Sequence, residues 1–112
     1  MTDRLVVDGR DVAALEVART ARTRSRGLLG RDGIDGAMWL APAKHVHSLG
    51  MRFDLDVAFV DVDGLVLHTQ RLRRNRSSRL VWRARAVIEA EAGAFEGWGL
   101  TPGVTVAVPP RQ

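Results

Sequence analysis

The stretch that decides the fold is LDVAFVDVDGLVLHTQ, residues 55–70. Two apolar runs flank Asp63-Gly64. An Asp-Gly pair between such runs predicts a β-hairpin with a two-residue turn, in which both turn residues need a positive φ. The first arm is apolar at four successive positions, VAFV at 57–60. A strand without alternation is typical of one covered on both faces, so we expect this arm near the centre of a sheet.

Outward from this hairpin, the chain predicts further short strands. LVV at 5–7 and VAALEVA at 12–18 flank a second Asp-Gly pair, at 8–9, and predict a second hairpin with the same turn. Apolar or alternating runs bounded by Gly and Pro predict the other strands, at 37–41, 45–53 (interrupted at Gly50), 85–92 and 104–108.

Two segments have helical character. Between residues 20 and 30 the apolar side chains fall at helical spacing, with arginines on the other face. Thr20 or Thr23 is suited to cap the start of this helix, and Gly30 its end. A single helical turn is expected at 93–99, around Phe95 and Trp98. The fold class is therefore mainly β (α+β): a small mixed or antiparallel β-barrel or rolled sheet of six to eight short strands with one or two short helices.

Length and composition exclude several classes of protein. The 112 residues fit a single domain, 1–112, and 46% of them are hydrophobic, which is enough for one core. The absence of cysteine excludes disulfides, thiolate catalysis and Cys-ligated metals. No apolar stretch approaches the roughly 20 residues of a membrane span, and MTDRLVVDGR has no signal-peptide core. We expect a soluble, cytoplasmic protein with no membrane span.

Three segments resemble a known pattern. They are RSRGLLGR (24–31), HSLGMRFDLDVAFVD (47–61) running into Asp63-Gly64, and AVIEAEAG (86–93) followed by GLTPG (99–103). The pattern resembles the bacterial and archaeal family called domain of unknown function 192, over about 15–108. Asp54 and Glu91 stand where that family usually has proline. The resemblance implies a compact, mainly β domain of no established activity, and it supplies no catalytic residue.

The polar centre of the chain, residues 45–56, carries the candidate site. His45 and His47 share one face of a strand. If His68 approached from the neighbouring arm, or Asp54 or Asp56 supplied a carboxylate, a transition-metal site would result. His47 with Ser48 and one of these aspartates would be a hydrolytic triad, but Ser48 faces away from His47 in a strand and lacks a nucleophile elbow.

A structural interpretation of the same residues is favoured over both. Arg52 would hold one carboxylate, Asp54 or Asp56, and Asp56 would accept hydrogen bonds from backbone amides at the strand entry. The same geometry leaves His47 and Arg52 at the mouth of a pocket, where they would bind an anionic small molecule. The candidate binding residues are accordingly His45, His47, Arg52, Asp54 and Asp56.

Basic residues cluster in one segment. The chain carries a net charge of +4, and RLRRNRSSRLVWRAR (71–85) holds seven arginines and no acid. Arginines contact phosphates and an exposed tryptophan stacks on a base, so this segment is a candidate polyanion surface, although a solvated loop in an arginine-rich chain is the simpler interpretation. The candidate anion contacts are Arg71, Arg73, Arg74, Arg76, Arg79 and Trp82.

These observations favour a non-enzymatic binding or accessory module for an unknown small molecule or protein, with no cofactor and no bound metal. Its functional surface is expected to combine residues 45–56 with the arginine-rich segment. Two alternatives stay open. One is a small metal-dependent or hydrolytic enzyme that uses His47, Asp54 and Asp56, and the other is polyanion or nucleic-acid binding through residues 71–85.

Overall fold

The computed structural model describes residues 3–110 and contains six strands and two short helices. Mainly β architecture, as predicted, is confirmed. In chain order the elements are β1 (Asp3–Val7), β2 (Arg10–Ala18), α1 (Ala21–Arg26), β3 (Ala37–Leu40), β4 (Leu55–Val60), β5 (Val66–Leu72), β6 (Ala86–Glu91) and α2 (Ala94–Trp98).

All six strands form one mixed sheet in the order β1-β2-β3-β6-β4-β5. The pairing of β2 with β3 is parallel, and the other neighbours are antiparallel. The last strand of the chain, β6, is therefore inserted between β3 and β4. Every residue of β4 is buried, so the prediction that this arm lies inside the sheet is confirmed.

Both predicted hairpins are present, but their turns differ. In the first, Asp8 and Gly9 adopt φ values of 47° and 83°, as a two-residue turn requires. In the second, Gly64 has a φ of 90° while Asp63 stays outside the positive region, so the prediction of the same turn is wrong. The reason is Asp61, whose Oδ1 accepts hydrogen bonds from the amides of Asp63 and Leu65 at 2.9 Å each and organises a longer loop.

Helix α1 begins as predicted and ends early. Thr20 is the N-cap, and its hydroxyl and that of Thr23 satisfy each other's backbone amides in a capping box. The helix ends at Arg26 with Gly27 rather than Gly30 as its C-cap, because Gly27 adopts a φ of 51° and a ψ of −127°, outside the helical region. The prediction of strands at 45–53 and 104–108 is wrong, because these residues form only isolated bridges.

The sheet is not closed into a barrel, so that form of the prediction is wrong. The two edge strands, β1 and β5, do not pair with each other. Segment 104–107 lies between them instead. Its backbone bonds the β1 edge through Val6 and Asp8 and the β5 edge through Gly64 and Val66. The edges are thus covered by a segment too irregular to form a strand.

The sheet is covered on both faces. On one, which we call the α2 face, Leu15, Trp39 and Ile88 pack with Phe95 and Leu100. On the other, which we call the cavity face, Val57 and Phe59 pack with Val46, Met51 and Val81 from the irregular segments. These segments hold the predicted polar residues, so the candidate site lies on the cavity face. No helix within 3–110 is long and apolar enough to cross a membrane.

Candidate functional site

Glu89 is one of two acidic side chains that are buried within residues 3–110. It lies in β6 at the centre of the sheet, opposite Met38 of β3 and Val57 of β4. Its neighbours in the sheet are apolar, and only 4% of its surface is exposed. A buried carboxyl group costs free energy unless it gains a partner. Stability alone therefore does not explain a glutamate at this position.

Glu89 faces a cavity of about 210 Å³, which we call the Glu89 cavity. Its volume equals roughly seven water molecules at about 30 Å³ each. The apolar side chains that line it come from β3 and from the segments beside it, and are Leu29, Leu40, Val46, Leu49 and Met51. The polar side chains besides Glu89 are Arg24, Ser25, Arg26, His45 and His47. The cavity therefore combines an acidic floor, apolar walls and a basic rim.

The end of α1 makes room for this carboxyl group. A Cβ atom on Gly27 would lie 3.2 Å from Oε1 of Glu89, which is a tight contact. Gly27 also has a φ of 51°, a conformation in which other residues are strained. Glycine at this position therefore serves both the helix end and the space around Glu89.

Within residues 3–110, Glu89 receives no hydrogen bond from a protein group, and no arginine, lysine or histidine nitrogen lies within 4.0 Å of its carboxylate oxygens. No fully buried side-chain oxygen in that part of the chain lacks a partner, which is consistent with an opening of the Glu89 carboxyl to the cavity. Burial raises the pKa of Glu89 from 4.5 to about 7. Near neutral pH the cavity floor is therefore a mixture of carboxylic acid and carboxylate.

Two of the predicted binding residues, His45 and His47, lie on the rim of this cavity. Their segment runs antiparallel to residues 76–81: the amide of Ser78 bonds the carbonyl of Val46 at 2.8 Å, and His47 forms a bridge with Ser77. Val46 and Ser48 point inward and are buried, which leaves the two histidines exposed. The predicted shared face of His45 and His47 follows from this alternation.

Ser48 ties the two segments together rather than serving as a nucleophile. It is fully buried, and its hydroxyl bonds the carbonyl of Arg73 at 2.5 Å and accepts from the amide of Arg76 at 3.0 Å. His47 lies next to it in sequence, but its Nδ1 accepts from the amide of Leu49 at 3.2 Å. Neither side chain is arranged for transfer of a proton from Ser48 to His47.

The structure separates the other three predicted residues from the histidines. Arg52 bonds Asp32 at 2.9 Å on the surface, so its expected pairing with Asp54 or Asp56 is wrong. Asp54 accepts from the amide of Arg74 at 2.9 Å. Arg52 pairs with Asp32 because the loop 27–36 places this acid beside it, a proximity that sequence spacing does not reveal.

Asp56 is used within the protein, as the structural interpretation proposed. Its Oδ1 accepts from Nε of Arg71 at 2.7 Å, and this carboxylate raises the pKa of Arg71. Its Oδ2 accepts from the amides of Gly93 and Phe95 at 2.8 and 3.2 Å, at the start of α2. These amides belong to the helix entry and not, as expected, to the start of β4. Asp56 therefore caps α2, which has no side-chain cap from its own N-terminal residue.

The metal-ligand arrangement considered from the sequence does not form within residues 3–110, where no three His, Asp or Glu side chains come together. His68 lies on β5 opposite Phe59. The three imidazoles are consequently not a ligand set in this fold.

The arginine-rich segment 71–85 is mostly on the surface. Of its arginines, Arg71 alone pairs with a carboxylate of the described chain. Trp82 exposes 74% of its surface, the largest fraction among the exposed large hydrophobic side chains in the part of the chain described. The segment is nevertheless held in place, since Lys44 Nζ bonds the carbonyls of Trp82 and Ala84 at 2.6 and 2.7 Å.

A larger cavity of about 500 Å³ lies at one end of the sheet, between Trp39, cis-Pro42 and the C-terminal segment 108–110. Its charged groups are largely used: Arg19 bonds Asp3 and the carbonyl of Pro110, and Asp61 holds the second turn. None of the buried polar side chains of residues 3–110 lines it. The smaller cavity is therefore the better candidate site.

Sequence reasoning missed Glu89 because it treated 85–92 only as a strand of apolar or alternating character and gave the acid at 89 no role. Alternation is typical of a sheet with one solvated face. Here both faces are covered, so Val87, Ile88 and Glu89 are all buried. β6 contains two acids, and its sequence pattern alone does not distinguish the buried Glu89 from the exposed Glu91.

Comparisons with known proteins agree with this fold. The profile of the DUF192 family, described as "Uncharacterized ACR", matches residues 4–108, which extends the predicted region of 15–108 across β1 and most of β2. A crystal structure of a protein of unknown function from Novosphingobium aromaticivorans is 23% identical with a TM-score of 0.81, covering 96% of this chain and 85% of its own.

A second crystal structure, of a proposed transcription regulator from Sinorhizobium meliloti, is 20% identical with a TM-score of 0.76 and covers 96% of this chain and 93% of its own. At these identities the two similarities show the fold alone. No curated protein matches the chain significantly.

Proposed function

Since the chain belongs to the DUF192 family, whose description assigns no activity, we propose from its site that it is a non-enzymatic binding module that holds a small molecule in the Glu89 cavity. The proposal keeps His45 and His47 of the predicted surface as ligand contacts. It moves the centre of that surface from Arg52, Asp54 and Asp56 to Glu89.

One observation carries the proposal: Glu89, a residue only 4% exposed, faces a cavity with a carboxyl group that has no hydrogen-bond partner within residues 3–110. A protein that needed only stability would place an apolar residue in the middle of β6. Binding sites, in contrast, combine apolar walls with a few convergent polar groups and a titratable group of shifted pKa. The Glu89 cavity has all three features.

The groups that the enzyme alternative needs are already hydrogen-bonded within the protein, and this favours binding over catalysis. Asp56 is bonded to Arg71 and to two backbone amides, and Asp54 to a third amide. Ser48 is buried within a hydrogen-bonded link between segments. The cavity is lined by a carboxyl group, two histidines and the hydroxyl of Ser25, but no hydrogen bond within residues 3–110 joins that hydroxyl to a histidine, as activation of a nucleophile requires.

An NMR titration tests the proposal. The protein is titrated with a panel of small probes: γ-aminobutanoate, butylammonium, butanoate, butanol and methyl phosphate. We expect at least one probe to give saturable amide shifts confined to residues that line the cavity. The matched variants are Leu49→Trp, at the cavity, and Leu80→Trp, on a similarly exposed leucine outside it.

Leu49→Trp should weaken binding of that probe about fivefold or more, since it alters the cavity mouth, while Leu80→Trp should leave it unchanged. If no probe gives saturable shifts at the cavity, the proposal is wrong. Equal weakening by both tryptophan variants would contradict it as well.

Contact with a polyanion is a second candidate function, favoured by the exposure of Trp82 among arginines that have no carboxylate partner in the described chain. Single-stranded nucleic acid fits such a surface, because bases stack on aromatic rings and arginines neutralise phosphates. Fluorescence anisotropy with labelled oligouridylate, from about 50 to 300 mM salt, measures this binding.

Binding should weaken steeply with salt, and Trp82→Ala should reduce it severalfold. The double variant Arg73→Gln/Arg79→Gln should weaken it more than Arg10→Gln/Arg22→Gln, which removes the same charge elsewhere. Equal effects of the two double variants, or no binding at low salt, would exclude this surface as the contact.

A further inference from the structure

We propose that the ligand of the Glu89 cavity is a small zwitterion, with a primary ammonium group at Glu89 and a carboxylate or phosphate group at the basic rim. The proposal rests on the proposed function, since it assumes that the cavity is a binding site. It adds the chemical class and the orientation of the ligand.

Glu89, at the floor of the cavity, determines which chemical group the inner end of the ligand carries. Glu89 is the acidic group that lines the cavity, and no basic nitrogen of the described chain lies within 4.0 Å of its oxygens. An ammonium group donates hydrogen bonds to a carboxylate and neutralises its charge, whereas an anion here would be repelled. A metal ion would find a single carboxylate and no ligand set, because no three His, Asp or Glu side chains come together within residues 3–110.

The walls and volume limit the middle of the ligand. Leu40, Val46 and Met51 offer apolar contact suited to methylene groups. A cavity of about 210 Å³ holds about seven non-hydrogen atoms at the volume of liquid water, roughly 30 Å³ each. A primary alkylammonium of a few carbons therefore fits, and a nucleotide does not.

The rim selects the outer end. Arg24, Arg26, His45 and His47 line the cavity, and none of them forms an ion pair with a carboxylate of residues 3–110. Arg24 is half-buried, whereas the other three are exposed. Unpaired guanidinium groups bind carboxylate and phosphate through two parallel hydrogen bonds. The outer end of the ligand is therefore anionic.

Ionisation of Glu89 links binding to pH. An ammonium group favours the carboxylate form, so below the pKa of about 7 binding must displace a proton. Affinity for butylammonium should therefore rise up to tenfold per pH unit toward pH 7 and then level off. The other titratable and charged groups that line the cavity are His45, His47, Arg24 and Arg26. Glu89→Gln removes the contribution of Glu89 and leaves theirs in place.

Three matched probes from the panel test the inference: γ-aminobutanoate, butylammonium and butanoate, which share four carbons and differ in their charged ends. Dissociation constants are measured by calorimetry and NMR at pH 5.5 and 8 for the wild type, Glu89→Gln, Arg24→Gln and the control Glu96→Gln. Glu96 is exposed on α2, which packs on the opposite face of the sheet.

We expect γ-aminobutanoate to bind most tightly, butylammonium next, and butanoate at least tenfold more weakly than butylammonium. Glu89→Gln should weaken both ammonium probes about tenfold or more at pH 8 and abolish the greater part of their pH dependence. Arg24→Gln should weaken γ-aminobutanoate severalfold and should not weaken butylammonium, which lacks an anionic end and is relieved of a nearby positive charge. Glu96→Gln should match the wild type.

The outcomes separate the two proposals. If butanoate binds in the cavity as tightly as butylammonium, or if Glu89→Gln leaves the ammonium probes unaffected, the inference is wrong and the binding function stands. The same holds if only butanol or methyl phosphate binds there. If none of the five probes binds in the cavity, both proposals are wrong.

Discussion

Asp56 and Glu89 are buried acids on neighbouring strands that are treated in opposite ways by the fold. Asp56 of β4 is 6% exposed and Glu89 of β6 is 4% exposed, and their positions differ by one step in the register of the two strands. Asp56, on the α2 face, accepts three hydrogen bonds from Arg71, Gly93 and Phe95. Glu89, on the cavity face, accepts none from the described chain. Asp56 therefore maintains the structure, whereas the carboxyl group of Glu89 is available to a ligand.

Asp56→Ala provides the largest expected effect. It removes the cap of α2 and the partner of Arg71, and it leaves the amides of Gly93 and Phe95 without an acceptor. We expect a loss of about 4 kcal/mol in the free energy of unfolding, because both amides are partly buried. Urea denaturation measures the loss. A change below about 1 kcal/mol would show that Asp56 is not the structural member of the pair.

Glu89→Gln should raise the free energy of unfolding, whereas Asp56→Ala lowers it. A carboxyl group whose folded pKa is raised makes its full contribution below its unfolded pKa, and this contribution is lost as the pH rises from 4.5 to about 7. That shift corresponds to about 3 kcal/mol. The glutamine also needs hydrogen-bond partners, so we expect a gain of about 2 kcal/mol at pH 8 and none at pH 4.

Thermal unfolding of wild type and Glu89→Gln across this pH range provides the measurement, with Glu96→Gln as the exposed control. Destabilisation by Glu89→Gln at pH 8 would mean that the carboxylate has a partner in the protein, and the contrast with Asp56 would fail.

Gly27→Ala should affect both stability and the space above Glu89. Its Cβ would lie 3.2 Å from Oε1 of Glu89, and its φ of 51° disfavours alanine. We expect a loss of about 1 kcal/mol in stability and severalfold weaker binding of butylammonium. The control is Gly97→Ala in α2, where a Cβ meets nothing within 4 Å. Unchanged binding in a folded Gly27→Ala protein would place the ligand elsewhere.

Arg52→Ala gives the smallest effect. Arg52 pairs with Asp32 across exposed side chains, and such pairs contribute less than about 1 kcal/mol. It does not line the Glu89 cavity. We therefore expect a stability change within about 0.5 kcal/mol and unchanged binding of γ-aminobutanoate. Clear weakening of that binding would restore Arg52 to the binding surface.

The sequence predicted the parts of the fold that are determined by neighbouring residues. Asp8-Gly9 specified the first turn, and the apolar run 57–60 specified a strand covered on both faces. The insertion of β6 between β3 and β4, and the parallel pairing of β2 with β3, depend on contacts between distant segments that local patterns do not encode. The shape of the second turn was mispredicted because the carboxylate of Asp61 competes for its amides.

Part of the site was also predictable from patterns of neighbouring residues. The shared face of His45 and His47 followed from strand alternation, and both side chains are exposed and line the Glu89 cavity. The role of Asp56 as an acceptor for backbone amides was also predicted, although the amides come from α2. Glu89 could not be assigned to the same place, because only the packing of both faces of the sheet shows that it is buried.

The titration of the Glu89 carboxyl carbon, followed by NMR in the free protein and at saturation with butylammonium, tests the central claim most directly. An unpartnered buried carboxyl group predicts a midpoint of about pH 7 in the free protein and a lower midpoint with the cation bound. A midpoint near 4.5 in the free protein, or one that does not move when the cation saturates the cavity, would contradict the account.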